Sequence, residues 1–300
     1  MKLLVTGGAG FIGSHVVDLL VSLKHQVIVV DNLVTGKKEN VNERAVLYEV
    51  DICSPQLEDV FRSESPEAVF HLAAQATVPR SLEDPLYDAE VNIAGTLNIL
   101  EMMHRYGAGR IIYSSSAAIY GNPVELPVVE EHPLAPVSPY GLSKYVAEEY
   151  ITLYSRMYGI DYMILRYANV YGPRQTLEGE AGVVTIFINN LKKGFPLTIN
   201  GDGRHTRDFV FVGDVAQANA EGLTAGRNGV VNIGTGRETS LQELVDCLQA
   251  AAGKKAQVVY GPERPGDIVR SCLCPEKGEK LLGWKAVTPL SEGLKRTIEA

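Results

Sequence analysis

Tyr140 and Lys144 stand four residues apart in the stretch Ser138-Pro-Tyr-Gly-Leu-Ser-Lys144. Serine is a good N-cap and proline a good first helical residue, so the spacing predicts a helix carrying Tyr140 and Lys144 on one face, one turn apart. A lysine ammonium near a phenol favours the phenolate and lowers its pKa from about 10 towards neutrality. A phenol tuned in this way is a usable general base. Upstream, Ser114-Ser-Ser-Ala-Ala-Ile-Tyr-Gly121 ends an apolar run. Its three serines offer hydroxyls that can bond a sugar hydroxyl as it becomes a ketone. Each pattern also has a plainer reading: an amphipathic helix with one Tyr and one Lys, and a polar strand end capped by its own side chains.

Chemistry at a sugar hydroxyl needs a redox partner, and the first residues offer a place for one. Val5-Thr-Gly-Gly-Ala-Gly-Phe-Ile-Gly13 follows the apolar run Leu3–Val5 and leads into His15–Leu23, whose apolar residues recur at helical spacing. In a strand-to-helix turn, Gly7 permits the tight bend, Gly10 lets the backbone approach a pyrophosphate and Gly13 lets the helix pack close. The helix N-terminus then presents N–H groups and a positive dipole end to phosphates. A second apolar run, Gln26–Val30, ends in Asp31, an acid placed to accept from an adenosine ribose. No arginine follows Asp31 directly, which favours NAD over NADP, and Lys37 and Lys38 read as a solvated turn.

These pieces need a scaffold. Apolar runs at Val46–Val50, Ala68–Ala73, Arg110–Ser114 and Tyr162–Tyr167 alternate with amphipathic stretches at Asp88–Tyr106 and Tyr140–Tyr158. Such alternation predicts βαβ units and a Rossmann-type, doubly wound parallel sheet in an α/β fold, whose ligands bind beyond the carboxyl ends of the strands. Asn32 and Gly36 follow the second strand, and Asp51-Ile52 the third. Asp51 fits either the adenine amino group or a turn cap. The small residues of His71-Leu-Ala-Ala-Gln-Ala76 let the backbone pass close to a flat cofactor. His71 itself reads as a packed, hydrogen-bonded histidine.

Composition narrows the partners. The chain has 300 residues, 45% of them hydrophobic, and a net charge of −8 with no basic run. That argues against a nucleic-acid backbone as partner, although a local basic pocket could still hold a polyanionic substrate. The four cysteines are scattered and form no zinc pattern, which fits a reducing cytoplasm. No leader pattern and no long apolar span is present, so a cytoplasmic protein without a membrane partner is expected.

The glycine loop, Asp31, the serine run and Tyr140-x-x-x-Lys144 together resemble the extended short-chain dehydrogenase/reductase family, and within it the UDP-glucose 4-epimerases and related nucleotide-sugar epimerases. The resemblance spans essentially the whole chain. It implies an NAD site lined by Gly7, Gly10, Phe11, Ile12, Gly13, Asp31, Asn32, Leu33, Thr35, Gly36, Asp51, Ile52, Leu72, Ala73, Ala74, Gln75, Asn92 and Ser114. Tyr167 and Ala168 would lie near the nicotinamide. Ser116 would be the catalytic hydroxyl and Tyr140 the base, with Lys144 bonding the nicotinamide ribose and tuning Tyr140.

The resemblance also implies a smaller C-terminal substrate-binding lobe. Residues 1–175 would form the NAD domain, returning at about 210–235, and residues 176–209 and 236–300 the lobe. Asn169, Ala76, Val183 and Val184 would face the sugar nucleotide, Thr198, Ile199 and Asn200 the uracil, and Arg207 and Arg264 the pyrophosphate. Arginine forks suit phosphate oxygens. Asp267 would meet the uridine ribose, and Ser271 would gate the sugar 2-substituent. A small residue there leaves room for an N-acetyl group. A homodimer through the Asp88–Tyr106 and Tyr140–Tyr158 helices is a further implication.

The rivals on this scaffold are a 4,6-dehydratase, a decarboxylase, a uronate 4-epimerase and a non-catalytic NAD-binding regulator. The dehydratase and decarboxylase need an acid after the strand-end hydroxyl, where this chain has Ala117 and Ala118. The regulator usually loses the Tyr or the Lys, and both are present.

Overall fold

In a computed structural model, described over residues 1–177, 182–262 and 268–300, the chain alternates strand and helix from its first residues. It opens with strand β1 (Lys2–Thr6), helix α1 (Phe11–Ser22) and strand β2 (Gln26–Asp31). Then come β3 (Val46–Glu49), α2 (Leu57–Glu64), β4 (Ala68–His71) and the short helices α3 (Val78–Glu83) and α4 (Pro85–Ala89). Helix α5 (Gly95–Tyr106), β5 (Arg110–Ser116), α6 (Pro139–Tyr158) and β6 (Asp161–Tyr167) continue the alternation. The chain then leaves the sheet through β7 (Asn169–Tyr171), α7 (Val183–Lys193), β8 (Leu197–Asn200), β9 (Thr206–Arg207), β10 (Phe209–Phe211) and α8 (Val212–Thr224). It returns with β11 (Asn228–Ile233) and ends in β12 (Thr239–Ser240), α9 (Leu241–Ala252), β13 (Val258–Gly261), α10 (Glu276–Leu282) and α11 (Leu290–Glu299).

Seven strands form one sheet in the order β3-β2-β1-β4-β5-β6-β11, with every pairing parallel. Continuous apolar runs such as Leu3-Leu4-Val5 are buried on both faces, as parallel strands require. One face carries Val16, Val17 and Leu20 of α1 with Val215 and Leu223 of α8. The other carries Phe61 of α2, Leu100 and Met103 of α5, and Ala147 and Ile151 of α6. Strand order reverses between β1 and β4, so a crevice opens there beyond the carboxyl ends.

A third apolar cluster joins Val184 and Phe187 of α7 to Leu197 and Ile199 of β8 and Leu244 and Leu248 of α9. There β8 pairs in parallel with β13, and β9 pairs antiparallel with β12. Ile12 and Val170 pack against both this cluster and the sheet core, so the lobe leans on the glycine turn.

Several boundaries differ from the sequence reading, and α1 begins at Phe11, directly after the glycine turn, rather than at His15. The helix expected over Asp88–Tyr106 is α4, a π-turn at Glu90–Ala94, and α5. Gly95, where α5 begins, packs against Ile52: a Cβ there would lie 2.6 Å from the Ile52 side chain. Strand β4 stops at His71, since the Thr6 hydroxyl takes the N–H groups of Leu72 and Ala73. Strand β5 runs through all three serines, pairing Ser114, Ser115 and Ser116 with Leu165, Arg166 and Tyr167. Among the described residues no helix is long and apolar enough to cross a membrane, and all four cysteines are free.

Candidate active site

The glycine turn is closed by its own backbone. Gly7 N–H donates to Val30 O at 2.9 Å with φ +69°, a conformation glycine adopts at little cost. A Cβ at Gly7 would lie 2.7 Å from Ala73 N, and one at Gly13 only 2.0 Å from Gly7 O. A side chain at Gly7 would therefore collide with the loop after β4, and one at Gly13 would push α1 off the turn. Gly10 is the N-cap of α1, and Phe11 follows with its ring edge-on to His15.

Asp31 is buried at the end of β2 and accepts from Ala9 N and Leu33 N, both at 2.9 Å. Burial pushes its pKa up, and these two N–H groups pull it back. Leu33 takes a left-handed φ of +56°, and a Cβ at Gly36 would lie 2.7 Å from Asp31 Oδ1. The Leu33–Gly36 turn thus wraps the carboxylate, with Thr35 on its exposed side. Asp51 accepts from Cys53 N at 2.7 Å and from the Asn32 amide at 2.7 Å. It caps its turn, as one of its two readings has it, and holds Asn32 beside Asp31. Ile52 is buried against Gly95.

The loop Leu72–Ala76 crosses the crevice. His71 lies beneath it with Nδ1 2.8 Å from Thr6 Oγ1 and Nε2 3.0 Å from Thr96 Oγ1. Burial first, and then the nearby Lys144 charge, push its pKa down to about 3, so it is a neutral, packed histidine. Ala73, Ala74 and Ala76 are half-buried along the loop. Asn92 sits behind it in the π-turn. Its amide accepts from Gln75 N at 2.8 Å and donates to Gln75 O at 2.9 Å and Ser143 Oγ at 3.0 Å. Asn92 therefore ties the loop to α6, and the Gln75 side chain turns back to Asp88 and Thr77.

The serine run divides its work by residue. Ser114 O accepts from the buried Lys144 Nζ at 2.9 Å, and that ammonium lies 4.9 Å from the centre of the Tyr113 ring. Ser115 donates to Glu148 Oε1 at 2.5 Å. Ser116 stays half-exposed and accepts from Ala118 N at 3.1 Å. Ser138 caps α6 through Gly141 N at 3.1 Å, with Pro139 as its first residue. A Cβ at Gly141 would lie 2.6 Å from Ala118 O, so the first turn of α6 sits directly on the turn after Ser116. The half-exposed Tyr140 is in that first turn.

On the lobe side, Asn169 is exposed at the start of β7, and its N–H donates to Asp208 O at 2.9 Å. Ala168 N–H donates to Ile233 O, and the Tyr167 hydroxyl lies 3.0 Å from Asn219 Oδ1 in the core. Val184 and Ile199 point into the lobe core, while Val183, Thr198 and Asn200 remain open to different degrees. Arg207 and Ser271 are half-buried, Arg207 on β9 and Ser271 on the extended segment that bridges to β9 at Thr206 and Arg270. Arg264 and Asp267 lie outside the described residues.

The sequence reading missed a buried cluster behind this site. Arg166 donates from Nε to Glu148 Oε1 at 3.1 Å and from Nη2 to Glu148 Oε2 at 2.7 Å, and it also reaches Tyr120 and Glu130 O. The signal was available: Glu148 is one turn beyond Lys144, and Arg166 interrupts an apolar strand.

The model of the NAD dependent epimerase/dehydratase family matches residues 3–234. The chain belongs to this family. A UDP-glucose 4-epimerase from Thermotoga maritima, solved with UDP-glucose, superposes with a TM-score of 0.97 at 48% identity, covering 100% of this chain and 98% of that one. A Thermus thermophilus UDP-glucose 4-epimerase solved with NAD gives 0.94 at 42% identity, over 100% and 98%. A UDP-N-acetylglucosamine 4-epimerase from Methanobrevibacter ruminantium, solved with UDP-N-acetylmuramic acid, gives 0.95 at 34%, over 99% and 97%. In this member of the epimerase/dehydratase family, the tight glycine turn that leads into the N-terminus of α1 and the wrapped carboxylate of Asp31 fit a dinucleotide.

Proposed function

We propose that the protein is an NAD-dependent 4-epimerase that interconverts UDP-glucose and UDP-galactose. The observation that carries this reading is the seating of the capped first turn of α6, with Tyr140 on it and Lys144 one turn further along, against the turn that follows Ser116. The crevice beneath the glycine cradle supports a dinucleotide beside that pair. NAD, when bound, supplies a hydride acceptor and donor at the sugar C4, so that a 4-keto sugar can be re-reduced on its other face.

The protein's own groups supply position and proton transfer. Tyr140 takes the proton of the 4-hydroxyl and returns it, and Ser116 bonds that oxygen throughout. Lys144 is held by Ser114 O one helical turn from Tyr140, where its buried positive charge would favour the phenolate. Gly7–Gly13, Asp31–Gly36, Asp51 and Leu72–Gln75 would hold the cofactor. Asn169, Thr198–Asn200, Arg207, Arg264 and Asp267 would tether the UDP moiety while the keto sugar turns over. Ala117 and Ala118 leave the site without the acid that elimination needs, which speaks for epimerisation over dehydration. Residues 1–175 with about 210–235 would form the NAD domain and the rest the sugar-nucleotide lobe. We further place the enzyme in cytoplasmic galactose metabolism. It would act as a homodimer through α5 and α6, where Leu142, Leu153 and Met157 are exposed.

One observation favours a wider substrate range. Ser271 and Ala76 are both small and half-buried, which leaves room for a 2-acetamido group on the sugar. UDP-N-acetylhexosamines would then also be substrates.

The test is purified protein with UDP-galactose and no added cofactor, followed by chromatography of the sugar nucleotides. UDP-glucose should form, and Tyr140→Phe should abolish turnover while NAD still co-purifies. Turnover by Tyr140→Phe would remove Tyr140 from its assigned role.

A further inference from the structure

Asp208 lies between β9 and β10 and is completely buried. Its Oδ1 accepts from Thr235 N at 2.9 Å and Thr235 Oγ1 at 2.5 Å. Its Oδ2 accepts from Thr235 N at 3.1 Å and from Gly236 N and Leu273 N, both at 3.2 Å. Gly234 packs directly against the carboxylate: a Cβ there would lie 2.4 Å from Oδ2. Two separate stretches of chain, 234–236 and 273, therefore converge on one carboxylate.

The Leu273 contact is the informative one. Residues 269–274 run as an extended strap. On one side, Thr206 N donates to Val269 O at 3.0 Å and Ser271 N to Thr206 O at 3.2 Å. On the other, Val128 N donates to Cys272 O and Cys274 N to Val128 O, both at 2.8 Å. Val128 belongs to the segment that joins the Ser116 turn to α6. The strap is thus laced between the arm that carries Arg207 and the segment that links Ser116 to the helix of Tyr140. Asp208 is the side chain that pins it, and its own carbonyl accepts from Asn169 N at 2.9 Å.

We propose that Asp208 is a positioning residue that sets the spacing between the phosphate-facing Arg207 and the sugar-facing Ser271. It would thereby control how tightly the UDP-sugar is held, without touching it. This rests on the reading of the site as a UDP-sugar site. A carboxylate is needed because the N–H groups meet both oxygens. An asparagine would turn its NH₂ towards either Thr235 or the Gly236 and Leu273 N–H groups, and would release one side of the clip.

The experiment compares wild type, Asp208→Asn and the milder Thr235→Val, which deletes a single hydroxyl donor. For each protein the UDP Kd is measured by calorimetry and KM and kcat with UDP-galactose, alongside thermal melting. Asp208→Asn should raise the UDP Kd and KM about tenfold and change kcat by less than about twofold, and Thr235→Val should move the same constants by about two- to threefold. A purely structural role would lower the melting temperature and leave Kd and KM of the folded protein where they were. Unchanged Kd and KM in the folded variants would overturn the proposal. If Asp208→Asn does not fold, Thr235→Val decides alone. A wild type that binds UDP but converts no UDP-galactose would instead count against the functional reading, and the UDP Kd series would still judge Asp208.

Discussion

Replacing Arg166 with methionine would leave the Glu148 carboxylate buried with Ser115 as its remaining partner among the contacts described. In the intact protein the two side chains are 6% and 4% exposed and meet through two N–H···O bonds. Removing one member of such a pair costs about 3–5 kcal/mol, because an uncompensated charge stays buried. That is a large fraction of the roughly 5–15 kcal/mol that holds a domain folded. The loss would be felt at the active site, since Glu148 ties α6 to Ser115 and Arg166 ties β6 to Tyr120 and Glu130. The double replacement Arg166→Met with Glu148→Leu removes both charges together. It should regain about 2–4 kcal/mol relative to the sum of the single losses. Urea midpoints of the four proteins, closed as a double-mutant cycle, measure this coupling directly. Single losses that add to the double within about 0.5 kcal/mol would show that the pair does not act as a unit, and the reasoning would fail.

Two further outcomes follow from the same geometry. His71 is neutral in the folded protein, its pKa pushed from 6.5 down to about 3 by burial and Lys144. Below pH 6.5 the unfolded chain takes up a proton that the folded one refuses, so stability should fall by about 1.4 kcal/mol per pH unit from there towards pH 3. His71→Gln should flatten that slope, and urea titrations in which wild type and variant keep equal slopes would refute the assignment. Gly13→Ala would place a methyl 2.0 Å from Gly7 O and should strip the protein of NAD, read as cofactor content after denaturation. A variant that retained a full complement of NAD would show that the close packing of α1 on the turn is dispensable.

Local chemistry was legible in the chain. The glycine turn, the acid ending β2, the Ser138-Pro139 helix start and the alternating apolar runs each follow from short-range rules, and the seven-stranded parallel sheet formed where those runs lie. A capping hydroxyl or a helical i,i+4 pair involves residues that are neighbours along the chain, so spacing alone carries the information. His71 could be read as a packed residue for a similar reason, sitting at the end of an apolar run.

What tertiary structure decided was the use made of each polar group. The serines of β5 are chemically alike in sequence, yet one offers a carbonyl to Lys144, one bonds Glu148 and one remains half-exposed. Their fates depend on the pleat of β5 against α6. Asn92 became a tie between the loop and α6 because a π-turn aims its amide inward. Arg166 with Glu148, and Asp208 with Thr235 and Leu273, pair residues that are 18, 27 and 65 positions apart. No local rule links such positions. Only the folded chain brings a buried charge to its partner, and in the low-dielectric interior that meeting determines whether the charge holds the site together or disrupts it.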